Sequence, residues 1–228
     1  MGVTIDEILI ADPVQAWAAA GFTVDADGTC RAGHVRIRLG ARRDAGAGAT
    51  RTRITAWTLR GLPPGAVTAG TLDGLATGSS DSTPPVPAQH PNGTRLIDHL
   101  VVTTPDHDRT VAAFEQAGLQ RRRTRPTDHG GAPYLQSFFR AGEVIVELVG
   151  PETPTGDGPS RFFGLAYTVD DLDATATTLG IGLGPSRDAV QPGRRIATLR
   201  HQDFGLSVAT AFLSAGRDAT VPIDRGAA

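Results

Sequence analysis

Hydrophobic and polar positions alternate most strictly over HVRIRLG (34–40). There Val35, Ile37 and Leu39 fall on one side and His34, Arg36 and Arg38 on the other, the period-two signature of a half-buried strand. TIDEILIAD (4–12) reads as an earlier strand, and PVQAWAAAG (13–21) as a helix that opens at Pro13 and exits at Gly21. FTVDADGTC turns at an Asp-Gly pair, ARRDAGAGATR (41–51) reads as a loop, and ITAWTLRG (54–61) as a further strand. Residues 76–94, ATGSSDSTPPVPAQHPNGT, lose all periodicity and predict an extended linker.

The same grammar then restarts. RLIDHLVVTTPD (95–106) predicts a strand, HDRTVAAFEQAGL (107–119) a helix, and QRRRTRP a densely charged strand. PYLQSFFRAG (133–142) and EVIVELVG (143–150) predict a hairpin turning at Ala141-Gly142. FFGLAYTVDDLDATATTLG (162–180) predicts a strand and a helix capped by Asp170 or Asp171. RRIATLRHQDFGLSVATAFLS (194–214) predicts two strands about a turn near Gly205, and the remaining tail has Val221 and Ile223 as its docking candidates.

Three words recur in order. TIDEILIADP (4–13) matches LIDHLVVTTP (96–105), RAGHVRIRLG (31–40) matches RAGEVIVELVG (140–150), and ITAWTLRGL (54–62) resembles GLAYTVDDL (164–172), with Trp57 in the place of Tyr167. The first half thus reads as a shortened copy of the second. A single unit of this kind exposes one apolar sheet face, so pairing units buries it. The expectation is an α+β protein whose repeated βαβββ modules pair into curved mixed sheets around a cavity. Residues 1–75 form a degenerate module, 76–94 the linker, 95–214 a paired domain (modules 95–150 and 162–214), and 215–228 a weakly ordered tail.

Charge narrows the partners. A formal net charge of -2 gives nucleic acid no basic footprint. Every basic side chain other than histidine is arginine, which excludes a lysine Schiff base. No apolar run reaches membrane-spanning length, and MGVTIDEILI is acidic where a signal peptide needs a basic start and then an apolar run. With Cys30 as the lone cysteine, a reducing, cytoplasmic setting is expected, as monomer or homodimer.

Two residues carry the candidate chemistry. Glu147 shares a strand face with Ile145 and Val149, where a carboxylate is costly unless paired, ligated or wet. His99, on a face with Ile97 and Val101, is a candidate general base. Gln136, Phe138 and Arg140 form a polar, aromatic and cationic stripe, and Phe163 and Tyr167 are candidate cavity walls. Arg194, Arg195 and Arg200 are candidate anion anchors. Neither the glycine fingerprint of nucleotide sites nor G-x-S-x-G occurs.

IDHLVVTTPDHDRTVAAFEQAGL and FGLAYTVDDLDATATTLG resemble the openings of successive glyoxalase/bleomycin-resistance/extradiol-dioxygenase modules, the vicinal-oxygen-chelate class, and EVIVELVG resembles the closing strand. The resemblance covers residues 95–214 well and 3–62 more weakly. Metal-dependent members place four ligands across a module pair. The resemblance puts His99 and Glu147 at two of these positions and Gly164 and Ala209, which cannot coordinate, at the others; Glu7 and Arg38 stand at the equivalent places of the first half. It implies a protein that binds a small polar or anionic organic molecule in the 95–214 cavity, with His99 and Glu147 as a proton-transfer pair and no cofactor. A divalent-metal-dependent lyase, isomerase or dioxygenase, using His99, Glu147 and His201 (or Asp203), and a non-catalytic interaction protein are the alternatives.

Overall fold

The computed structural model describes residues 2–40 and 54–216. The loop expected at 41–51 and the candidate docking residues Val221 and Ile223 lie outside them. The first half runs β1 (Thr4–Ile10), α1 (Val14–Ala19), β2 (Thr29–Ala32), β3 (Val35–Leu39), β4 (Ile54–Arg60), β5 (Thr71–Leu72) and β6 (Leu75–Ser79). The second half runs β7 (Thr94–Thr103), α2 (His107–Gln116), β8 (Gln120–His129), β9 (Ala132–Ala141), β10 (Val144–Pro151), β11 (Arg161–Val169), α3 (Leu172–Leu179), β12 (Arg187–Asp188), β13 (Arg195–Thr198) and β14 (Ala209–Ser214). Asp106 caps α2 through the Arg109 amide, and Asp171 caps α3 through the amides of Asp173 and Ala174.

Two sheets result, of six and eight strands. The first is ordered β5-β6-β4-β1-β3-β2, and the second contains the matching order β13-β14-β11-β7-β10-β9, extended by β12 and β8 at its ends. In each, the opening strand runs parallel to the closing strand of its own module (β1 with β3, β7 with β10) and antiparallel to the next module's opening strand (β4, β11). The α+β plan of repeated βαβββ-like modules in curved sheets is therefore present twice, the first time without β8 or a second-module helix.

Alternation buries one face of each sheet. Ile5, Ile8 and Ile10 in the first and Leu100, Val102, Val144, Val146 and Leu148 in the second lie in one continuous core with α1 and α2. Aromatic pairs join the halves: Phe22 packs on Tyr167 at 5.1 Å and Trp57 on Phe162 at 5.4 Å between ring centroids. Asp73 holds Arg109, Thr110 and Ser160, tying the β5–β6 turn to the second half.

Two expectations change. Strand β6 takes the start of the stretch expected to be linker, pairing with β4. The segment that follows crosses the first sheet, its carbonyls at Ser82, Thr83 and Val86 accepting hydrogen bonds from Arg60, Arg36 and Arg31. By strand register, Leu59 rather than Trp57 occupies the place of Tyr167: Leu59 pairs with Ile5 as Tyr167 pairs with Ile97.

Candidate functional site

The opening strand β7 breaks its own alternation. Register against β11 shifts between the pairs His99–Ala166 and Ile97–Tyr167, leaving Asp98 as the extra residue of a bulge. Ile97 thereby returns to the core side, fully buried, and does not share a face with His99 as strict alternation predicted. Asp98 and His99 instead both turn to the outer face, beside Val101 and Thr103. The bulge recurs in β1, where register shifts between Ile5 and Glu7 and turns Asp6 out of line.

On the outer face, Glu147 of β10 sits opposite Val101 of β7 and Phe138 of β9. His99 Nε2 lies 3.7 Å from Glu147 Oε2, and the side chains are only 16% and 15% exposed. His99 Nδ1 lies 3.0 Å from Asp98 Oδ1. Asp98 also accepts from the Thr168 hydroxyl at 2.8 Å and pairs with Arg194 at 2.6 Å. Burial disfavours its charge, but the hydrogen bonds from His99 and Arg194 outweigh burial and hold the carboxyl well below the usual carboxylate range. An ionised Asp98 has only acceptors, so His99 Nδ1 donates to it and Nε2 is the nitrogen that faces Glu147.

Glu147 is fixed from its other side. Gln136 donates to Glu147 Oε1 at 2.6 Å and accepts from Arg125 at 2.7 Å, so the cation sets the amide's orientation. The resulting chain runs Arg194, Asp98, His99, Glu147, Gln136, Arg125. Glu147 Oε2 and His99 Nε2 face each other at its centre, 3.7 Å apart, where each can accept a proton from a third group placed between or above them.

A cavity of about 720 Å³ opens over this pair. Val101, Val149, Tyr134, Pro105 and Phe163 make much of its wall apolar, and Arg161 and His129 add polar groups. A second cavity of about 270 Å³ shares His99 and Glu147 with the first and is bounded by Arg122, Arg123, Phe138 and Ile145. The pair therefore stands in a wall common to both spaces.

Of the expected binding residues, Gln136 and Phe138 lie on the cavity face beside Glu147, and Phe163 lines the larger cavity. Tyr167 does not: it is fully buried on the opposite face, against Phe22 and Phe212, because the bulge reverses the face it shares. Arg140 shares the outer face but is exposed at its margin, paired in register with Gln120 and Ile145, and lines neither cavity. Arg195 is drawn to Asp173 at 2.7 Å and Arg200 stands exposed before a 3₁₀ turn, so neither reaches the cavities. The bulge residue Asp98, and Arg122, Arg123 and Arg161, escaped sequence reasoning. The bulge had a legible signal: the core-facing Ile97 and Leu100 have two residues between them, where alternation requires one.

The donors do not fit a resident metal centre. Among the described residues no group of three or more His, Cys, Asp and Glu side chains could hold an ion, and His201 lies in the 3₁₀ turn His201–Phe204, away from both cavities. His99 and Glu147 supply two donors, one fewer than the three protein ligands usual in catalytic zinc sites. A Cβ added at Gly164 would lie 2.6 Å from the Ala209 carbonyl oxygen, so β11 and β14 approach too closely there for a ligand side chain.

Paired βαβββ-like modules with a cavity on the outer sheet face define a class, and the comparisons identify it. Residues 96–180 match the Glyoxalase/Bleomycin resistance protein/Dioxygenase superfamily, and that region of the chain is a member of it. Among solved structures, a variant of homoprotocatechuate 2,3-dioxygenase from Brevibacterium fuscum is similar over 97% of this chain and 74% of that one, at 15% identity and a TM-score of 0.60. A mutant of 4-hydroxymandelate synthase from Streptomyces coelicolor is similar over 93% of this chain and 92% of that one, at 12% identity and a TM-score of 0.58. These likenesses speak to fold alone. A search of curated proteins finds no match. No helix among the described residues is long and apolar enough to cross a membrane.

Proposed function

We propose that the cavity over β7 and β10 binds a small polar or anionic organic molecule and that His99 and Glu147 exchange a proton with it. The observation that carries this is the meeting of Nε2 and Oε2 at 3.7 Å in a wall common to two cavities, with no cation paired to Glu147 among the described residues. A carboxylate held by a neutral amide rather than an arginine keeps a free lone pair for a substrate proton. Asp98 and Arg194 fix the imidazole's tautomer, so that Nε2 accepts the proton that Glu147 removes, or returns it. A ligand seated against the apolar walls would displace water from the pair and strengthen both interactions.

The test is solvent-deuterium exchange. A panel of small carbonyl compounds with acidic C–H bonds, incubated with the protein in deuterium oxide, is followed by proton NMR. Enzyme-dependent loss of one compound's α-proton signal, abolished in both Glu147→Gln and His99→Gln, supports the reading. Exchange that persists in both variants overturns it, and ligands seated in the cavity without any exchange reduce the site to binding.

A further inference from the structure

The smaller cavity differs from the larger in its charge. Of its charged groups, Asp98 is already paired with Arg194 and His99, and Glu147 accepts from Gln136 on one oxygen and turns the other to His99. Arg122 and Arg123 have no acidic partner among the described residues, whereas Arg121 beside them pairs with Glu115 at 3.0 Å and Arg194 and Arg195 are likewise paired. Two guanidiniums without an ion-pair partner therefore flank a concave space whose carboxylates, Asp98 and Glu147, they do not reach, in a chain whose formal net charge is -2.

Their placement is built rather than incidental. Register between β8 and β9 shifts between Arg121 and Arg123, a bulge that brings Arg122 beside Arg123 at the cavity instead of on the opposite face. Arg123 stacks over the Phe138 ring at 4.6 Å, and Arg125 reaches the same ring at 5.3 Å, so the ring face fixes one guanidinium before any ligand arrives. Positive charge along β8 would also discourage edge-to-edge pairing, but that role needs neither a cavity nor an aromatic rest.

We infer that the smaller cavity is an anion subsite and that the ligand is an organic acid. Its carboxylate would lie between Arg122 and Arg123, its apolar body among Val101, Val149 and Phe163 in the larger cavity. The carbon joining them then stands beside His99 and Glu147. This rests on the reading that the cavity over β7 and β10 holds a small organic molecule, and it adds the ligand's class.

The test uses phenylacetate and its neutral counterpart phenylacetamide as probes, titrated into the full chain and followed through the methyl resonances of Val101 and Val149. Phenylacetate is expected to bind about tenfold more tightly, the increment of one charge-assisted contact. That preference should shrink in high salt and disappear in the double variant Arg122→Gln/Arg123→Gln, whose melting temperature stays near that of the parent because both side chains are exposed. Equal binding of acid and amide, or a preference that survives the double variant, overturns the subsite while leaving the cavity reading intact. A preference lost only in Arg161→Gln moves the anion to the larger cavity and also overturns it. If neither probe perturbs Val101 or Val149, the cavity reading fails and the subsite falls with it.

Discussion

The two sheets share one strand plan and differ in what their outer faces carry. Where β7 and β10 bring His99 to Glu147, β1 and β3 bring Glu7 to Arg38 at 2.8 Å, a closed ion pair with no proton to exchange. Where Asp98 holds one arginine and a histidine, Asp6 is 6% exposed and pairs with both Arg36 and Arg60. The first face is then crossed by residues 82–86, held by three arginines, while the second stays open over its cavity. Duplication supplied two equivalent places for a site. One of them is saturated with arginine–carboxylate pairs, and the other keeps an imidazole, a carboxylate and a neutral amide facing an open cavity.

The largest expected effect separates the two directly. Glu147→Gln should lower proton exchange by about a hundredfold or more, the usual weight of a general base, with little change in stability. Glu7→Gln, at the equivalent place, should leave exchange untouched. Comparable losses in both variants, measured by the same NMR experiment, would show that the first half takes part in the chemistry.

Stability should show the reverse asymmetry. Asp6→Asn removes the negative charge that pairs with two arginines, themselves mostly buried at 24% and 16% exposure. It should cost about 3 kcal/mol in urea denaturation, as expected when one side of a buried pair is deleted. Asp98→Asn should cost less, because it weakens the pairing of one arginine rather than two, but it should impair exchange by freeing the His99 tautomer. A smaller loss for Asp6→Asn than for Asp98→Asn would contradict the assignment of structural and reactive roles.

Much of this contrast was legible beforehand, because repeated words such as RAGHVRIRLG and RAGEVIVELVG carry the alternation that sets each strand's face. His99 and Glu147 followed from that same pattern. The failures share a physical cause. An extra residue at Asp98 turned Ile97 to the core and left Tyr167 with it, and the extra residue at Arg122 placed two arginines where alternation allows one. The misplaced linker boundary has a different origin: the Ser- and Gly-rich word LATGS lacks strand propensity and becomes β6 only because β4 offers an edge to pair with.

Alkaline pH probes the first half's core. Burial, and then the nearby Asp25 charge, push the Cys30 thiol up to about 12. A raised value means the folded state keeps its proton while the unfolded chain loses it, so this contribution is complete below the ordinary thiol range and declines above it. Between pH of about 8.5 and 10, unfolding should become easier by about 1.5 kcal/mol, and Cys30→Ala should flatten that slope. Thiol reagents should label Cys30 only on unfolding, since it is fully buried. Rapid labelling of the native protein would deny the burial on which the slope depends.

The smallest effect concerns one place where the halves differ inside the core. Leu59 and Tyr167 occupy equivalent positions, yet Tyr167 carries a hydroxyl that is buried without a hydrogen-bond partner, and burial pushes that phenol well above its ordinary range. A buried unpaired hydroxyl opposes folding, whereas the ring's packing on Phe22 and Phe212 favours it. Tyr167→Phe keeps the packing and removes the penalty, so stability should rise by about 0.5–1 kcal/mol. Exchange at His99 and Glu147 should not change, because Tyr167 faces away from both cavities. A loss of stability instead would mean that the hydroxyl finds a partner in solution, with a water molecule or the Cys30 thiol as its nearest source. Repeating the measurement on Cys30→Ala would separate the two, since only a thiol partner would make the substitutions non-additive.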